Sequence, residues 1–257
     1  MKQKSRSPSK NLNLRLRILE ILARRLIPDY RLTWWQMDWW ADTEFNAYLD
    51  RFGERHDFNT HRRWTLWQLL RLAAGVEGDT AECGVYRGAS SWLICAANRG
   101  SGRTHHLFDS FEGISQPQPV DGAHWKFGAM AAGESLVLDN LRPFASSLKF
   151  HKGWIPDRFP EVAASQFSFV HIDVDLHQPT LDSVRFFYPR LSPGGVLLCD
   201  DFGFASCPGA TDAINSFLED KTEKMISLDA GGGFLIKGVA TAGRSSAMAA
   251  ARDAAVA

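Results

Sequence analysis

The sequence predicts a doubly wound α/β fold, in which helices cover both faces of a mostly parallel, seven-stranded sheet and a helical arm precedes the sheet. Three observations support this prediction. From about residue 76 to residue 239, apolar segments of strand length alternate with segments of helical periodicity. Acidic residues directly follow several of the apolar segments, and a glycine-containing turn leads from the first of them into a helix.

The composition is that of one globular unit with extensions. The chain has 257 residues, 45% of them hydrophobic, which is enough for one sizeable core. Its 29 basic side chains equal its 29 acidic ones, so the overall charge gives no reason to expect nucleic acid as a partner. The four cysteines lack the spacing of a zinc site or a disulfide framework. Without a secretory signal or an apolar run long enough to span a bilayer, we expect a cytoplasmic protein with no transmembrane segment.

The regions of the chain differ in composition. Residues 1–10 are polar and predict a disordered tail, residues 11–75 a helical arm and lid, residues 76–239 the core, and residues 240–257 a flexible tail.

The beginning of the arm is basic. Within residues 1–26, eight basic residues stand against Glu20 alone, and leucines from Leu12 to Leu26 recur at spacings of three and four. The pattern indicates an amphipathic helix, which either packs on the protein or a partner subunit or lies on an anionic membrane surface.

A second helical region follows Pro28 and is rich in aromatic residues. These side chains either pack into the core or form a lid that stacks on a substrate and excludes water. The residues concerned are Trp34, Trp35, Trp39, Trp40, Phe45, Tyr48, Leu49 and Phe52.

The remaining elements follow from the alternation of apolar segments and helical periodicity. We predict helices at residues 62–74, 88–98, 133–142, 179–190 and 208–219. We predict strands at residues 80–85, 104–108, 148–153, 167–173, 195–199, 225–228 and 233–237.

The turn after the first strand has the sequence Glu82-Cys83-Gly84-Val85-Tyr86-Arg87-Gly88 and leads into a helix that contains Ser90. Glycines let a ligand approach the backbone closely, and a helix start offers unpaired N–H groups. The spacing differs from dinucleotide-binding and Walker motifs, and no lysine follows, so NAD and ATP are disfavoured. The turn therefore favours another nucleotide-like ligand, although ordinary tight turns can share this pattern.

Two acids near this turn narrow the choice of ligand. Asp109 ends the second predicted strand, where a carboxylate accepts hydrogen bonds from both hydroxyls of a ribose or, alternatively, caps a loop or helix. Glu82 ends the first strand and can pair with an amino group. S-adenosylmethionine carries both a ribose and a cationic amino acid end, which makes it the cofactor that fits.

A cluster of acids is predicted at the same edge of the sheet. Asp173 and the pair Asp200-Asp201 follow two apolar strands, and these acids converge if the strands are neighbours. Carboxylates so close together raise one another's pKa unless a cation neutralises them, and oxygen ligands suit Mg²⁺. The alternative is that one or two of them cap loops.

Together these motifs resemble the macrocin O-methyltransferase family of sugar O-methyltransferases over about residues 42–238. The resemblance includes Phe108-Asp109-Ser110-Phe111-Glu112-Gly113, Lys152-Gly153-Trp154-Ile155-Pro156-Asp157, Asp173-Val174-Asp175-Leu176, and Ser192-Pro193-Gly194-Gly195 with Asp200-Asp201, besides the turn at residues 82–88.

The resemblance implies a class I methyltransferase fold, a small hydroxylated acceptor that contains a sugar, and a homodimer. It assigns the methionine part of the cofactor to the turn, the ribose to the end of the second strand, and the adenine to the end of the third. It implies that aspartates bind Mg²⁺ and that the metal also binds the substrate hydroxyls. The cofactor residues are then Glu82, Gly84, Tyr86, Gly88, Ser90, Asp109, Ser110, Gly153 and Trp154, and the metal ligands are Asp173, Asp200 and Asp201.

A base must remove the proton of the acceptor hydroxyl, whose pKa a bound metal lowers. Asp175 is the first candidate and His177 the second; the family commonly has tyrosine at position 177. Three other functions stay open at this point. They are a phenolic O-methyltransferase, a glycosyltransferase that uses Asp173-Val174-Asp175 to bind a metal, and a binding protein without catalytic activity.

Overall fold

The computed structural model describes residues 10–27 and 37–243, with side chains from Leu14 onward. The predicted disordered tail before residue 10, the end of the C-terminal tail, and the prediction for Trp34 and Trp35 lie outside the described residues. The chain divides into two compact units, Met1–Arg55 and His56–Ala257.

The described part of the first unit contains two α-helices and a short 3-10 helix. Helix α1 (Lys10–Leu26) confirms the predicted basic helix, and its apolar side chains, among them Leu14, Ile18 and Leu22, are exposed. Helix α2 spans Thr43–Phe52.

Within this unit, the aromatic residues pack on one another. Trp39, in the 3-10 helix Asp38–Ala41, is buried and meets the rings of Trp40 and Phe45 edge to face, at centroid distances of 6.0 and 5.8 Å. Asp42 begins α2 by accepting a hydrogen bond from the backbone N–H of Phe45 at 2.9 Å.

The second unit holds one seven-stranded sheet of order β3-β2-β1-β4-β5-β7-β6. Strands β1 to β5 run parallel, β7 pairs antiparallel with β5, and β6 pairs antiparallel with β7. The predicted mostly parallel sheet of seven strands is therefore confirmed. Its strands are β1 (Asp79–Cys83), β2 (His105–Asp109), β3 (Leu148–Lys152), β4 (Phe167–Ile172), β5 (Leu191–Cys199), β6 (Ile226–Ser227) and β7 (Gly233–Ile236).

The helices of this unit also agree with the predictions, with shifts of a few residues at their ends. A 3-10 turn at Tyr188–Arg190 continues the sixth helix, and the division between the two units places the third helix with the sheet rather than with the arm. The helices are α3 (Asn59–Leu72), α4 (Ala89–Ala97), α5 (Glu134–Asn140), α6 (His177–Phe187) and α7 (Pro208–Phe217).

The main core lies around the central strands. Every residue of β4 is buried, as expected for a parallel strand with helices on both sides. Phe108 of β2, Phe167 of β4 and Phe187 of α6 pack edge to face in this core. None of the helices among the described residues is long and apolar enough to cross a membrane.

The order of the strands determines where a ligand can bind. From β1 the chain continues outward through β2 and β3, and it then returns to place β4 on the other side of β1. At such a reversal the loops beyond the carboxyl ends of the strands diverge and leave a crevice, which is the usual binding site of open α/β sheets. The crevice here lies beyond β1 and β4.

Candidate functional site

The glycine turn and the acid-bearing loop touch at this crevice. Gly84 has a φ of 82°, and a Cβ at this position would overlap the carbonyl oxygen of Asp173. The N–H of Gly84 donates to the carbonyl of Phe108, and the N–H of Asp173 donates to the carbonyl of Cys83, each at 2.9 Å. Glycine at position 84 thus lets the ends of β1 and β4 lie side by side.

Asp109 braces the turn from the end of β2. Its Oδ2 accepts hydrogen bonds from the backbone N–H groups of Val85 at 2.7 Å and Tyr86 at 3.2 Å, and its Oδ1 accepts one from Phe111 at 2.6 Å. These bonds correspond to the loop-capping alternative raised by the sequence. A carboxylate has about four acceptor sites, so a further bond to a ribose stays a prediction.

The other predicted cofactor residues lie at the ends of β1, β2 and β3. Gly88, with a φ of 81°, precedes α4, and Ser90 lies buried in the first turn of that helix. The hydroxyl of Ser110 accepts a hydrogen bond from the N–H of Glu112 at 3.1 Å. The N–H of Gly153 donates to the carbonyl of Asp109 at 3.0 Å, and Trp154 next to it is partly exposed. The structure therefore brings these residues to one side of the crevice.

Glu82 differs from the other predicted cofactor residues because it lies beneath the crevice with none of its surface exposed. Its Oε1 accepts a hydrogen bond from Nδ1 of His171 at 2.8 Å, and its Oε2 accepts one from the hydroxyl of Ser91. Burial would raise the pKa of Glu82, but His105 and His171 lower it below its usual range. Contact between Glu82 and a ligand amino group stays a prediction. The structure shows that Glu82 binds and orients His171.

The predicted metal ligands lie in two adjoining groups. Ligand atoms of Asp173, Asp200 and His171 lie within 4.8 Å of one another, and so do those of Asp175, Asp201 and Cys207. Strands β4 and β5 are neighbours, as the predicted cluster required.

The loop after β4 is held against Asp201, whose Oδ2 accepts hydrogen bonds from the N–H groups of Val174 at 3.1 Å and Asp175 at 2.7 Å. Asp175 itself has a φ of 61°. This left-handed conformation is uncommon for a residue other than glycine, although aspartate tolerates it better than most.

Crowding of these carboxylates changes their pKa values. Burial and the neighbouring Asp200 raise the pKa of Asp173 to about 7, and burial with Asp175 raises the pKa of Asp201 well above its usual value. Asp200 behaves differently, because Arg62 and His171 lower its pKa despite the opposing effect of burial. The group therefore carries unbalanced negative charge that a further cation would relieve.

The chemistry of the donors fits a hard cation such as Mg²⁺, which prefers oxygen ligands. Despite burial, Asp200 and Glu82 raise the pKa of His171 to about 10, which favours the protonated imidazole, and Nδ1 of His171 already contacts Glu82. Burial and Asp201 raise the pKa of the Cys207 thiol to about 12. The carboxylates are thus the fitting ligands of both groups.

The two candidate bases have different surroundings. Asp175 belongs to the acid cluster, and the thiol of Cys207 lies 3.6 Å from its Oδ1. His177 is the first residue of α6, and its Nε2 lies 3.4 Å from Oδ2 of Asp212 on α7. Which of the two is the base stays a prediction.

A loop of residues 114–129 adds residues that the sequence motifs did not single out. Its ends are joined because the N–H of Ile114 donates to the carbonyl of Ala129 at 2.8 Å, and the N–H of Gly128 donates back to Ile114 at 2.9 Å. Such a closed surface loop of up to about 16 residues is an Ω-loop, a type that is frequently functional.

This Ω-loop reaches the acid cluster. Buried Asp121 accepts a hydrogen bond from the N–H of His177 at 2.6 Å, and Nε1 of Trp125 donates to Sγ of Cys207 at 3.3 Å. The loop leaves β2 and is anchored at the starts of α6 and α7, which follow β4 and β5. Because β1 and β4 lie between β2 and β5, the Ω-loop crosses the crevice.

The comparisons with known proteins agree with this geometry. Residues 68–237 match the family described as macrocin-O-methyltransferase (TylF). The chain belongs to this family. The resemblance inferred from the motifs is therefore confirmed.

Two relatives illustrate the similarity. The 8-demethyl-8-(2,3-dimethoxy-alpha-L-rhamnosyl)-tetracenomycin-C 4'-O-methyltransferase of Streptomyces olivaceus is 32% identical over 159 residues, which cover 57% of this chain and 60% of the relative. The demethyldecarbamoylnovobiocin O-methyltransferase of Streptomyces niveus is 30% identical over 176 residues, which cover 63% and 66%. The matches thus span less than two thirds of the length of these curated relatives.

Solved structures confirm the fold. The O-methyltransferase NovP aligns with a TM-score of 0.60 and 24% identity over 89% of this chain and 99% of its own. The calicheamicin methyltransferase CalS11 aligns with a TM-score of 0.65 and 19% identity over 93% and 98%.

Proposed function

We propose that this family member is an S-adenosylmethionine-dependent O-methyltransferase that methylates a hydroxyl of a sugar or glycosylated natural product with the help of Mg²⁺. The observation that carries the proposal is the contact between the glycine turn and the acid-bearing loop at Gly84 and Asp173. This contact supports the proposal because it joins the glycine turn, where we propose that the cofactor binds, to the loop whose carboxylates we propose as metal ligands. The names of the relatives, which include an O-methyltransferase of a rhamnosyl compound, support the sugar acceptor.

The cofactor half of the site consists of the turn and the ends of β2 and β3. S-adenosylmethionine supplies an electrophilic methyl group on a sulfonium, so the protein has only to bind it and orient it. Gly84 and Gly88 have the positive φ values that shape the turn, and Asp109 holds the turn in place by accepting hydrogen bonds from the N–H groups of Val85 and Tyr86. We assign the ribose to Asp109 and Ser110, and the adenine to the side of Gly153 and Trp154.

The acid half of the site would hold the metal through Asp173, Asp200 and Asp201. A bound divalent cation lowers the pKa of an acceptor hydroxyl and holds its oxygen in place. The raised pKa of Asp173, to about 7, supports the assignment, because carboxylates that resist ionisation together gain most from a cation.

Asp175 is the base that we propose. Its carboxylate stands in the same cluster as Asp201, and burial raises its pKa, which makes it a better proton acceptor than an exposed aspartate. The Cys207 thiol and the Asp201 carboxylate hold its side chain and backbone, respectively. His177 is left as a positioning residue at the start of α6.

The Ω-loop supplies an acceptor surface. Phe127 and Met130, in and directly after the loop, are 63% and 47% exposed, and Trp125 lies beside the cluster through Cys207. Aromatic faces pack well on the apolar faces of sugars and polyketides. A sugar-bearing acceptor therefore fits this surface better than a small phenol, and membership in a methyltransferase family removes support from a glycosyltransferase.

Calorimetric titration tests the cofactor half first. We expect the metal-stripped protein to bind about one S-adenosylhomocysteine per chain, with and without Mg²⁺. Absence of binding to folded protein would contradict the methyltransferase assignment.

Two substitutions then test the acid half. Asp173→Asn and Asp200→Asn should abolish methyl transfer to a sugar acceptor while S-adenosylhomocysteine still binds. Asp220→Asn, at an exposed carboxylate, is the matched control. Full activity of either cluster variant would remove the metal from the mechanism.

A further inference from the structure

A guanidinium group already occupies the acid cluster. Arg62 extends from α3, and its Nη2 donates hydrogen bonds to Oδ2 of Asp200 and, at 3.1 Å, to the carbonyl oxygen of the same residue. The two residues are 138 positions apart in the sequence, so no local motif relates them. Asp200 thereby has a cationic partner from the protein itself.

The surroundings of Arg62 keep this cation in place. Its side chain is 20% exposed, and its guanidinium carbon lies 5.1 Å from the centre of the Phe204 ring, an arrangement that favours a cation. Its Nε is buried and has no hydrogen-bond partner among the described residues, whereas Nη1 donates to Oδ1 of Asn59 at 3.4 Å and Nη2 donates to Asp200.

A second cation lies on the other side of Asp200. Nε2 of His171 is 3.7 Å from Oδ1 of Asp200, and Nδ1 of His171 is bound to the buried carboxylate of Glu82. Asp200 is thus flanked at Oδ2 by Arg62 and at Oδ1 by His171. A divalent ion that uses Asp200 must approach an oxygen that one of these groups already contacts.

Glu82 and Asp200 lie on opposite sides of His171, so this histidine would keep a buried carboxylate partner if Asp200 bound a metal. Arg62 is attracted, besides Asp200, by Asp173 and Asp201, which are the carboxylates that a metal would neutralise, and its guanidinium lies at the end of a long, flexible side chain. Metal binding would therefore weaken the attraction that holds Arg62 more than the attraction that holds His171, which keeps Glu82 as its partner.

We propose that Arg62 is an internal counter-cation that competes with the divalent metal for Asp200, so that metal binding displaces its guanidinium from the cluster. The inference rests on the proposed function, because it assumes that Asp200 is a metal ligand. It adds that the metal-free site is held together by a residue of α3 and that this residue limits the affinity for the metal.

Metal binding can be measured without activity. The probe is Mn²⁺, whose free concentration is read from the electron paramagnetic resonance of the hydrated ion during titration of the full chain. Arg62→Met removes the charge but keeps an unbranched side chain that packs on Phe204. Arg71→Met is the matched control, because Arg71 is exposed on the same helix.

We expect Arg62→Met to bind Mn²⁺ at least about tenfold more tightly than the unchanged protein, because a positive charge is removed from beside the ion. Arg71→Met should match the unchanged protein. If folded Arg62→Met binds Mn²⁺ equally well or more weakly, the inference is overturned. Arg62 would then be a residue that orients the metal ligands. Asp173→Asn separates this failure from failure of the proposed function, because undiminished Mn²⁺ binding by that variant would refute the metal site itself.

A second measurement needs no charge-removing variant. In protein labelled with ¹⁵N-arginine, the Nε–H resonance of Arg62 is identified by its absence in Arg62→Lys. Titration with diamagnetic Mg²⁺ should shift this resonance in step with saturation as the guanidinium leaves Asp200. A resonance that stays unchanged while Mg²⁺ saturates the site would also overturn the inference.

Discussion

The backbone of Gly84 packs directly against the carbonyl oxygen of Asp173, with no room for a Cβ between them. Gly84→Ala should therefore push apart the turn after β1 and the loop after β4, on top of the cost of alanine at a φ of 82°. We expect a loss of about 3–4 kcal/mol in the free energy of unfolding, or a fall of about 10 °C in Tm, and weakened binding of S-adenosylhomocysteine.

Gly100 provides the matched control for this substitution. It has a similar φ of 75°, but a Cβ there would meet nothing within 4 Å. Gly100→Ala should cost about 1–2 kcal/mol through backbone strain alone and leave cofactor binding unchanged. If thermal unfolding shows the same loss for both variants, the contact with Asp173 contributes nothing beyond the conformation of the glycine.

Separate substitutions of the two candidate bases distinguish their roles. Asp175→Asn keeps the shape of the side chain but removes the acceptor of the proton, so kcat for methyl transfer should fall by about 100-fold or more. The imidazole of His177 contacts Asp212 on α7, and His177→Gln should change kcat by less than about fivefold. The reverse order of effects, in protein that still binds S-adenosylhomocysteine, would make His177 the base.

The Ω-loop is tested at Trp125, which donates to the Cys207 thiol beside Asp175. Trp125→Ala removes an aromatic surface for the acceptor, and we expect its KM for the acceptor to rise about tenfold while the affinity for S-adenosylhomocysteine is unchanged. Lys126→Ala, at the exposed neighbouring position, is the control. An unchanged KM in Trp125→Ala would place acceptor recognition elsewhere.

Acid stability is tested at Glu223, far from the crevice. Hydrogen bonds from Gly238 and Thr222, at 2.8 and 2.9 Å, lower its pKa to about 2 despite burial. A depressed pKa stabilises the fold at pH values above the unfolded pKa of about 4.3, and this contribution is lost as the pH falls toward 2. Glu223→Gln should therefore lower Tm by several degrees at pH 7, and the difference should shrink between pH 4.5 and pH 3.

Exposed Glu219 serves as the control for this experiment, since Glu219→Gln removes the same charge without removing buried hydrogen bonds. Thermal unfolding followed by circular dichroism at several pH values provides the comparison. A difference in Tm between Glu223→Gln and the unchanged protein that stays constant with pH would contradict the assigned ionisation.

The sheet could be predicted from the sequence because its strands are buried on both faces and therefore appear as continuous apolar runs, as at β4. The sequence pattern predicts that β5 starts at residue 195, because Pro193 and Gly194 resemble a turn, whereas the strand starts at Leu191. In the structure these residues belong to the strand, in the segment where the register between β4 and β5 shifts.

The acids at the site were found because strand ends of a parallel sheet share one edge. Arg62 and Trp125 were not found, because a helix before the sheet and a loop after β2 reach the cluster only through the tertiary fold. The sequence indicates Glu82 as a site residue, but it does not predict which side of the crevice its carboxylate faces. Only the structure shows that a strand residue at this position points below the crevice and meets His171.

The closed neck of the Ω-loop, where Ile114 donates to Ala129 and accepts from Gly128, has a consequence for the evolution of the enzyme. Changes in length or sequence beyond the neck need not be transmitted to β2 or to the cofactor side of the crevice. New acceptors can then be accommodated by exchange of this one segment, provided that Asp121 and Trp125 keep their anchors on α6 and α7. Grafting the segment between relatives is therefore a rational way to redirect the methyl group to a different sugar.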